Sequence, residues 1–279
     1  MILQVYSQGK LYAWKNPVVM GIVNITDDSF FDGGRYVTEK ALLERIEQLL
    51  DEEADMIDLG AMSTRPGALD LDQNTEKEKI QQAVKSIKSH FPEIFLSIDT
   101  WRSSVAKVAV NEGANMINDI SGGTFDPKMI PVAGQLKVPY CLMHTTGKPD
   151  KMQQQTQYKS LIGDIIRFLG TQIQRLREAQ VRDIIIDPGF GFGKTLEQNY
   201  SILNNLEAFS TFDLPVLLGI SRKSMIYNLL RNSPAEALNG TTVLNTIALM
   251  KGARILRVHD VKEAKECVKI VQNLKSLNL

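Results

Sequence analysis

A chain of 279 residues with 32 basic and 32 acidic side chains and 43% hydrophobic content is balanced and globular, which excludes a disordered polyelectrolyte and gives no basic footprint for nucleic acid. No apolar run approaches the roughly 18 residues of a membrane span, and the N-terminus lacks a charged-apolar-cleavage signal. Two cysteines, Cys141 and Cys267, supply neither a disulfide scaffold nor a CxxC metal site, so a cytoplasmic protein without membrane or nucleic-acid partners is expected.

Residues 1–16 read as a hairpin, with Gln8-Gly9 between Leu3-Gln4-Val5-Tyr6 and Leu11-Tyr12-Ala13-Trp14. This piece precedes a repeating pattern and is expected to cover the bottom of one domain formed with residues 17–279. Strand one, Val18 to Ile25, contains Asn24; a polar stretch from Thr26 to Tyr36 leads to a helix with Leu42, Ile46, Leu49 and Leu50 on one face. Strand two, Met56 to Leu59, contains Asp58. After it come a second long loop, Ala61 to Asn74, and a helix with Ile80, Ala83, Val84 and Ile87 aligned. Loops of that length inside a compact domain are uncommon unless they act as lids or binding loops.

Strand three, Ile94 to Ile98, stops at Asp99 and precedes a helix over Ser103–Asn111. Strand four, Met116-Ile117, stops at Asn118-Asp119, with a helix from about Pro127; strand five, Val138 to Met143, stops at His144, with an irregular stretch to Gln157 and a helix from Tyr158 to about Gln180. Strand six, Ile184 to Ile186, delivers Asp187 to Pro188-Gly189-Phe190-Gly191-Phe192-Gly193-Lys194, ahead of a helix over Leu196–Phe209. Strand seven, Pro215 to Ile220, leads to Ser221-Arg222-Lys223 and two helices, and strand eight, Ile255 to Val258, to His259 and a closing helix with Val261, Ala264, Val268 and Val271 aligned. Eight near-continuous apolar strands alternating with helices predict a single (β/α)8 TIM barrel with a short N-terminal β-hairpin.

Barrel enzymes place their sites at the C-terminal strand ends, often with phosphate held after strands seven and eight. Lys223, Arg257 and His259 predict a cationic pocket there. Asp99, Asn118 and Asp187 close neighbouring strands, and a carboxylate beside an amide suits the donor-rich edge of an aminopyrimidinone ring; each also serves as a routine turn or helix cap. The run ending Gly193-Lys194-Thr195 fails as a nucleotide P-loop because Pro188 stands where the first glycine belongs. His144 is read as a ligand, a base or a satisfied structural group, and His90 as structural. No spacing supports zinc, so any metal is expected to be a hard cation escorting phosphate oxygens.

Taken together, Met20-Gly-Ile-Val-Asn-Ile-Thr26, Asp28-Ser-Phe-Phe-Asp32-Gly-Gly34, Ser63-Thr-Arg-Pro-Gly-Ala68, Ile98-Asp-Thr100, Ile117-Asn-Asp119, Cys141-Leu-Met-His144, Asp187 to Lys194, Ser221-Arg-Lys-Ser-Met225 and Arg257-Val-His-Asp-Val261 resemble the dihydropteroate synthase family over nearly the whole chain. The resemblance implies a Mg2+-assisted condensation of 6-hydroxymethyl-7,8-dihydropterin diphosphate with p-aminobenzoate in folate biosynthesis, by a homodimer whose contact helices lie far from the site. By similarity, Asp99, Asn118, Asp187 and Lys223 hold the pterin, with Met143, Phe192 and Gly219 lining its pocket. Asn24, Arg257 and His259 receive the diphosphate, Asn24 also ligating Mg2+. Thr64, Arg65, Pro66, Ser221 and Lys223 shape the p-aminobenzoate pocket, over which the Phe30 loop closes. Asp32 or Asp99 stabilises the cation left on the pterin methylene.

Three positions depart from the family pattern: Asp27 stands in place of a usual proline, Phe31 of a small residue and Met62 of a usual glutamate. All lie in the two long loops, and Phe31 is expected to tighten the p-aminobenzoate side. A corrinoid-dependent pterin methyltransferase shares this barrel but does not need the Ser-Arg-Lys, Arg-x-His and Ser-Thr-Arg-Pro set together. A non-catalytic pterin-binding paralogue ordinarily loses its charged positions, which are retained here.

Overall fold

The computed structural model describes residues 2–25, 35–61 and 71–277, without the side chains of 35–38. The chain opens with an antiparallel hairpin, β1 (Leu3–Ser7) and β2 (Lys10–Trp14), paired from Leu3 with Trp14 to Ser7 with Lys10. Gln8 and Gly9 both take positive φ, as a two-residue turn matched to the strand twist requires.

Eight parallel strands follow in one sheet: β3 (Val18–Asn24), β4 (Met56–Gly60), β5 (Leu96–Asp99), β6 (Met116–Asp119), β7 (Tyr140–Met143), β8 (Ile184–Asp187), β9 (Leu217–Leu218) and β10 (Ile255–Val258). Each of β3 to β8 pairs with the next, β10 lies between β9 and β3, and a parallel bridge from Ile186 to Val216 joins β8 to the β9 side of the ring. The barrel expected from the sequence is therefore present. Strand seven is shorter than its apolar run: Pro215 has no N–H to give to a ladder and contributes only its carbonyl, which accepts from Ile186.

The outer ring consists of α1 (Arg35–Asp51), α2 (Gln73–His90), α3 (Ser103–Asn111), α4 (Met129–Leu136), α5 (Leu161–Glu178), α6 (Leu196–Asn204), α7 (Ser224–Leu230), α8 (Leu238–Met250) and α9 (Val261–Ser276). Their apolar stripes face the sheet as the periodicity requires: Ile80, Ala83, Val84 and Ile87 of α2 and Ile165, Leu169, Ile173 and Leu176 of α5 are buried. Two helix boundaries differ most from the sequence reading. Helix α5 starts at Leu161 rather than Tyr158 because the Asp164 carboxylate takes the backbone N–H groups of Lys159 and Ser160, an end signal that hydrophobic spacing does not carry. Beyond α6 the backbone tightens into a 3-10 segment, Leu206–Phe212, that still buries Phe209.

Successive strand residues point to opposite faces, and the barrel sorts them accordingly. Val19, Ile57, Leu96, Ile117, Ile186, Leu218 and Leu256 pack outward beneath the helices. Val18, Met20, Met56, Met116, Cys141, Ile185, Leu217 and Ile255 fill the interior, where Leu3 and Val5 of the hairpin join them from below with Phe95. The hairpin thus covers the bottom, as expected. Only the C-terminal end of the barrel is left to receive a ligand.

A candidate active site at the C-terminal mouth

The interior plug fixes the site by simple counting. Two residues beyond Met56, Met116, Cys141, Ile185, Leu217 and Ile255 stand Asp58, Asn118, Met143, Asp187, Gly219 and Arg257, all on the inward side of their strands. Asp99 closes β5, and Asn24 closes β3 beside it with Gly60 between them. A Cβ at Gly60 would lie 3.4 Å from the Asp99 Cβ and 3.5 Å from the Asn24 Oδ1, so glycine keeps the space between those side chains open.

Charge is concentrated here at low dielectric. Arg257 Nε donates to Asp58 Oδ2 at 2.6 Å, its Nη2 donates to Asp99 Oδ2 at 2.8 Å, and Asn118 Nδ2 donates to Asp58 Oδ2 at 2.9 Å. Burial pushes the Asp99 carboxyl above the usual carboxylate range; the Arg257 guanidinium pulls it back, while Asp58, Glu76 and Asp119 add to the rise. Arg257 itself is held more firmly charged than a free arginine, because attraction from Asp58 and Asp99 outweighs its burial. Asp187 is also raised by burial, against Lys223, and its Oδ1 accepts from the Gly189 N–H at 2.7 Å.

Lys223 lies across the mouth, donating to the Phe190 carbonyl, with its Nζ 4.7 Å from the centre of the Phe192 ring. Burial lowers its pKa to about 8. An apolar wall of Trp101, Ile120, Met143, Met152 and Phe192 stands on this side.

The glycine-rich loop spends most of its polar backbone groups on the protein itself. Its carbonyls are all taken by side chains: Gly189 and Phe192 by Lys194, Phe190 by Lys223, Gly191 by Gln153 and Gly193 by Tyr158. Amides are taken as well, Gly189 by Asp187, Gly191 by Asn199 and Phe192 by the Gly189 carbonyl. Lys194 is buried and contacts His144 Nδ1 at 3.0 Å, so it braces the loop against the β7 end; burial lowers its pKa to about 7. His144 is the satisfied structural group among its alternatives, packed edge-on to Phe168 and kept neutral by burial with a pKa lowered to about 2.

The segments after β9 and β10 are tied together. Arg222, at φ +54, grips both oxygens of Asp260 at 2.9 and 2.7 Å and turns its Nη1 to the Pro234 and Ala235 carbonyls. Ser221 Oγ accepts the His259 N–H at 3.2 Å and meets its Nδ1 at 3.1 Å. Lys223, Arg257 and His259 are consequently held in one region.

The structure therefore brings together Asn24, Asp99, Asn118, Met143, Asp187, Phe192, Gly219, Ser221, Lys223, Arg257 and His259 around the mouth. Phe30, Asp32, Thr64, Arg65 and Pro66, with the departures Asp27, Phe31 and Met62, lie outside the described residues. Sequence reasoning did not assign Asp58 and Lys194 to the site. Asp58 had a legible signal, since Met56, Asp58 and Gly60 alternate on the inward face; Lys194 had none, because only the folded loop turns its ammonium onto carbonyls.

The family model of pterin-binding enzymes matches residues 20–259. Dihydropteroate synthase of Escherichia coli strain K12 is 38% identical over 275 residues, 97% of this chain and 96% of that protein. Among solved structures, Yersinia pestis dihydropteroate synthase with a sulfonamide drug is 38% identical, with a TM-score of 0.91 over 98% of this chain and 100% of that one. Xanthomonas albilineans dihydropteroate synthase with 4-aminobenzoic acid is 33% identical, with a TM-score of 0.89 over 99% of each chain. The chain belongs to the pterin-binding enzymes. Within that class it is a member of the dihydropteroate synthases, transferases of folate biosynthesis.

Loop geometry yields a direct stability test. Gly189 (φ +76) would place a Cβ 1.9 Å from the His144 carbonyl oxygen, whereas Gly9 (φ +78) would meet nothing within 4 Å. Chemical denaturation is expected to show Gly9→Ala costing about 1 kcal/mol from backbone strain alone, and Gly189→Ala costing roughly 3 kcal/mol or more because backbone must also move.

Proposed function

We propose that the chain condenses 6-hydroxymethyl-7,8-dihydropterin diphosphate with p-aminobenzoate to give 7,8-dihydropteroate and diphosphate. The observation that carries the substrate assignment is the convergence of Asp99, Asn118 and Asp187 with Lys223 and Arg257 in one buried mouth. Carboxylates accept the paired N–H groups of the pterin edge, the Asn118 amide supplies a further polar contact, and Met143 and Phe192 cover the ring. Gly219 leaves room beside Lys223 and Arg257: its added Cβ would come no closer than 3.8 Å to either.

Chemistry then follows from charge. The electron pair of the methylene C–O bond leaves with diphosphate, the amine lone pair of p-aminobenzoate forms the C–N bond, and the nitrogen loses its proton after bonding. Arg257 and His259 are assigned to the negative charge that grows on the leaving group, and Asp32 or Asp99 to the positive charge left on the methylene. Ser221 and Lys223, with Thr64, Arg65, Pro66 and Phe30, are assigned to p-aminobenzoate, and sulfonamides are expected to compete there.

A Mg2+ ion fits this donor set as a substrate-borne cation. Among the described residues no three His, Cys, Asp or Glu side chains form a cage, whereas Asn24 ends its strand beside the Gly60 opening and offers one hard oxygen, diphosphate supplying others. When bound, the ion would neutralise diphosphate charge.

A homodimer fits the outer ring. Leu229 and Leu230 of α7, Val243, Ile247 and Met250 of α8 and Ile270 and Leu274 of α9 are each 38–59% exposed on neighbouring helices, apolar side chains that a second copy would cover. The free, buried cysteines Cys141 and Cys267 suit a reducing cytoplasm.

Diphosphate release with and without p-aminobenzoate, followed together with dihydropteroate formation, tests the reaction. Coupled release is expected, with loss on chelating Mg2+ and a drop of at least ~100-fold in kcat/KM for Arg257→Ala; tight pterin binding with neither product would leave a binding paralogue instead. In pH profiles, Asp99 loses its acceptor role as pH falls through its raised pKa, and Lys223 loses its charge as pH rises through about 8. A bell in kcat/KM is therefore expected, with its alkaline limb near pH 8 and its acid limb above the ordinary carboxylate range; a flat profile from about pH 5 to pH 9 would contradict these roles. Light scattering is expected to find a dimer that Ile247→Lys combined with Ile270→Glu converts to an active monomer.

A further inference from the structure

We infer that Asp58 is a positioning residue that joins the pterin half of the site to the diphosphate half. The inference rests on the assignment of Asn118 to the pterin and Arg257 to the diphosphate made above. Asp58 is fully buried in the middle of β4, between inward-facing Met56 and Gly60, where an apolar side chain would continue the plug without any desolvation penalty. Its Oδ2 takes two donors from opposite sides, Arg257 Nε at 2.6 Å and Asn118 Nδ2 at 2.9 Å. The second oxygen, Oδ1, is buried and has no hydrogen-bond partner among the described residues.

Each contact constrains a group that touches substrate. An ionised carboxylate only accepts, so the Asn118 amide must turn its NH2 toward Asp58 and its carbonyl oxygen away. Asp58 thereby decides which end of the amide meets the pterin. At Arg257, the grip on Nε leaves the outer edge of the guanidinium as the part able to change partner. In the present arrangement that edge rests on Asp99. A pterin claiming Asp99 displaces it, and with Nε still pinned the freed edge swings over a short arc toward the leaving group. Without Asp58, the guanidinium is free to close on Asp99 through two parallel bonds, the favoured geometry for this pair, and so competes with the pterin. Fixing one end of an arginine in this way is preorganisation: the strand backbone meets the orienting cost before substrate arrives.

A double-mutant cycle with Asp58→Asn and Arg257→Ala tests this, reading kcat and KM for the pterin diphosphate and, by calorimetry, the affinity for 6-hydroxymethylpterin, which lacks the diphosphate. Asp58→Asn is expected to lower kcat/KM ~100-fold, through a lower kcat and a higher KM, and to weaken 6-hydroxymethylpterin ~10-fold through Asn118. Once Arg257 is alanine, the same change is expected to cost only ~10-fold, the part that passes through Asn118, because the rest passes through the arginine. Costs that multiply would overturn the inference, as would an Asp58→Asn enzyme that only melts earlier while each folded molecule keeps wild-type KM and pterin affinity. An Arg257→Ala enzyme as active as wild type would overturn both the inference and the diphosphate assignment beneath it. Asp58→Ser, smaller and still able to accept a hydrogen bond, carries the cycle should the asparagine variant not fold.

Discussion

In a closed barrel of short strands, each inward position serves either the packed floor or the mouth, and the two-residue period decides which. Here the floor is made of methionines, aliphatic side chains and Cys141, sealed from below by Leu3 and Val5 of the hairpin. Everything above that floor is polar or glycine on most strands. Water enters from one end, so the acids and cations at the mouth sit against a dry, close-packed base, and electrostatic effects that bulk water would mute become large.

Such a site has to satisfy itself while it waits for substrate. Asp58 and Asp99 share Arg257, Asp187 accepts from its own loop, and Lys223 rests on the Phe190 carbonyl and the Phe192 ring. None of these charges is abandoned in the interior, a condition that would cost far more than any single contact returns. Binding is accordingly an exchange of partners. Asp99 and Arg257, held by one bond to each other, are free to exchange partners, whereas Arg222 clamped on Asp260 and Lys194 with its two carbonyl partners and one imidazole partner serve as fixtures.

The legibility of this protein in its sequence followed the same division. Asp99, Asn118 and Asp187 could be read because each interrupts an apolar run where a strand must stop, and the eightfold repetition of that event gave the barrel. Asp58 interrupts its run too, but mid-strand, and taking the run as a single buried block hid the alternation that turns it inward. Strand β9 was over-read because Pro215 and Gly219 are apolar enough to extend a run while being poor ladder members. The start of α5 was missed for the complementary reason: a carboxylate one turn inside the helix captures the amides ahead of it, and hydrophobic periodicity contains no trace of that bond.

The glycine-rich loop shows why chemistry has to be argued from the folded chain. A nucleotide-binding loop spends its amides on phosphate and extends its lysine toward the same ligand. In this loop the lysine turns inward to hold carbonyls, and Gly189 is needed because backbone meets backbone at His144, where the approach leaves no space for a Cβ. Rigidity in the loop sets the Phe190 carbonyl, that carbonyl anchors Lys223, and the Lys223 charge offsets part of the burial that raises Asp187. Around the ring, β8 stands next to β9 and β6 stands across from β10, so Asp187 lies beside the cation of the segment after β9 and Asn118 on the strand across from Arg257. A ligand entering that mouth would meet cations from the neighbouring strands β9 and β10 and carboxylates from β4, β5 and β8, so the order of the strands fixes where each sign of charge stands before any substrate enters.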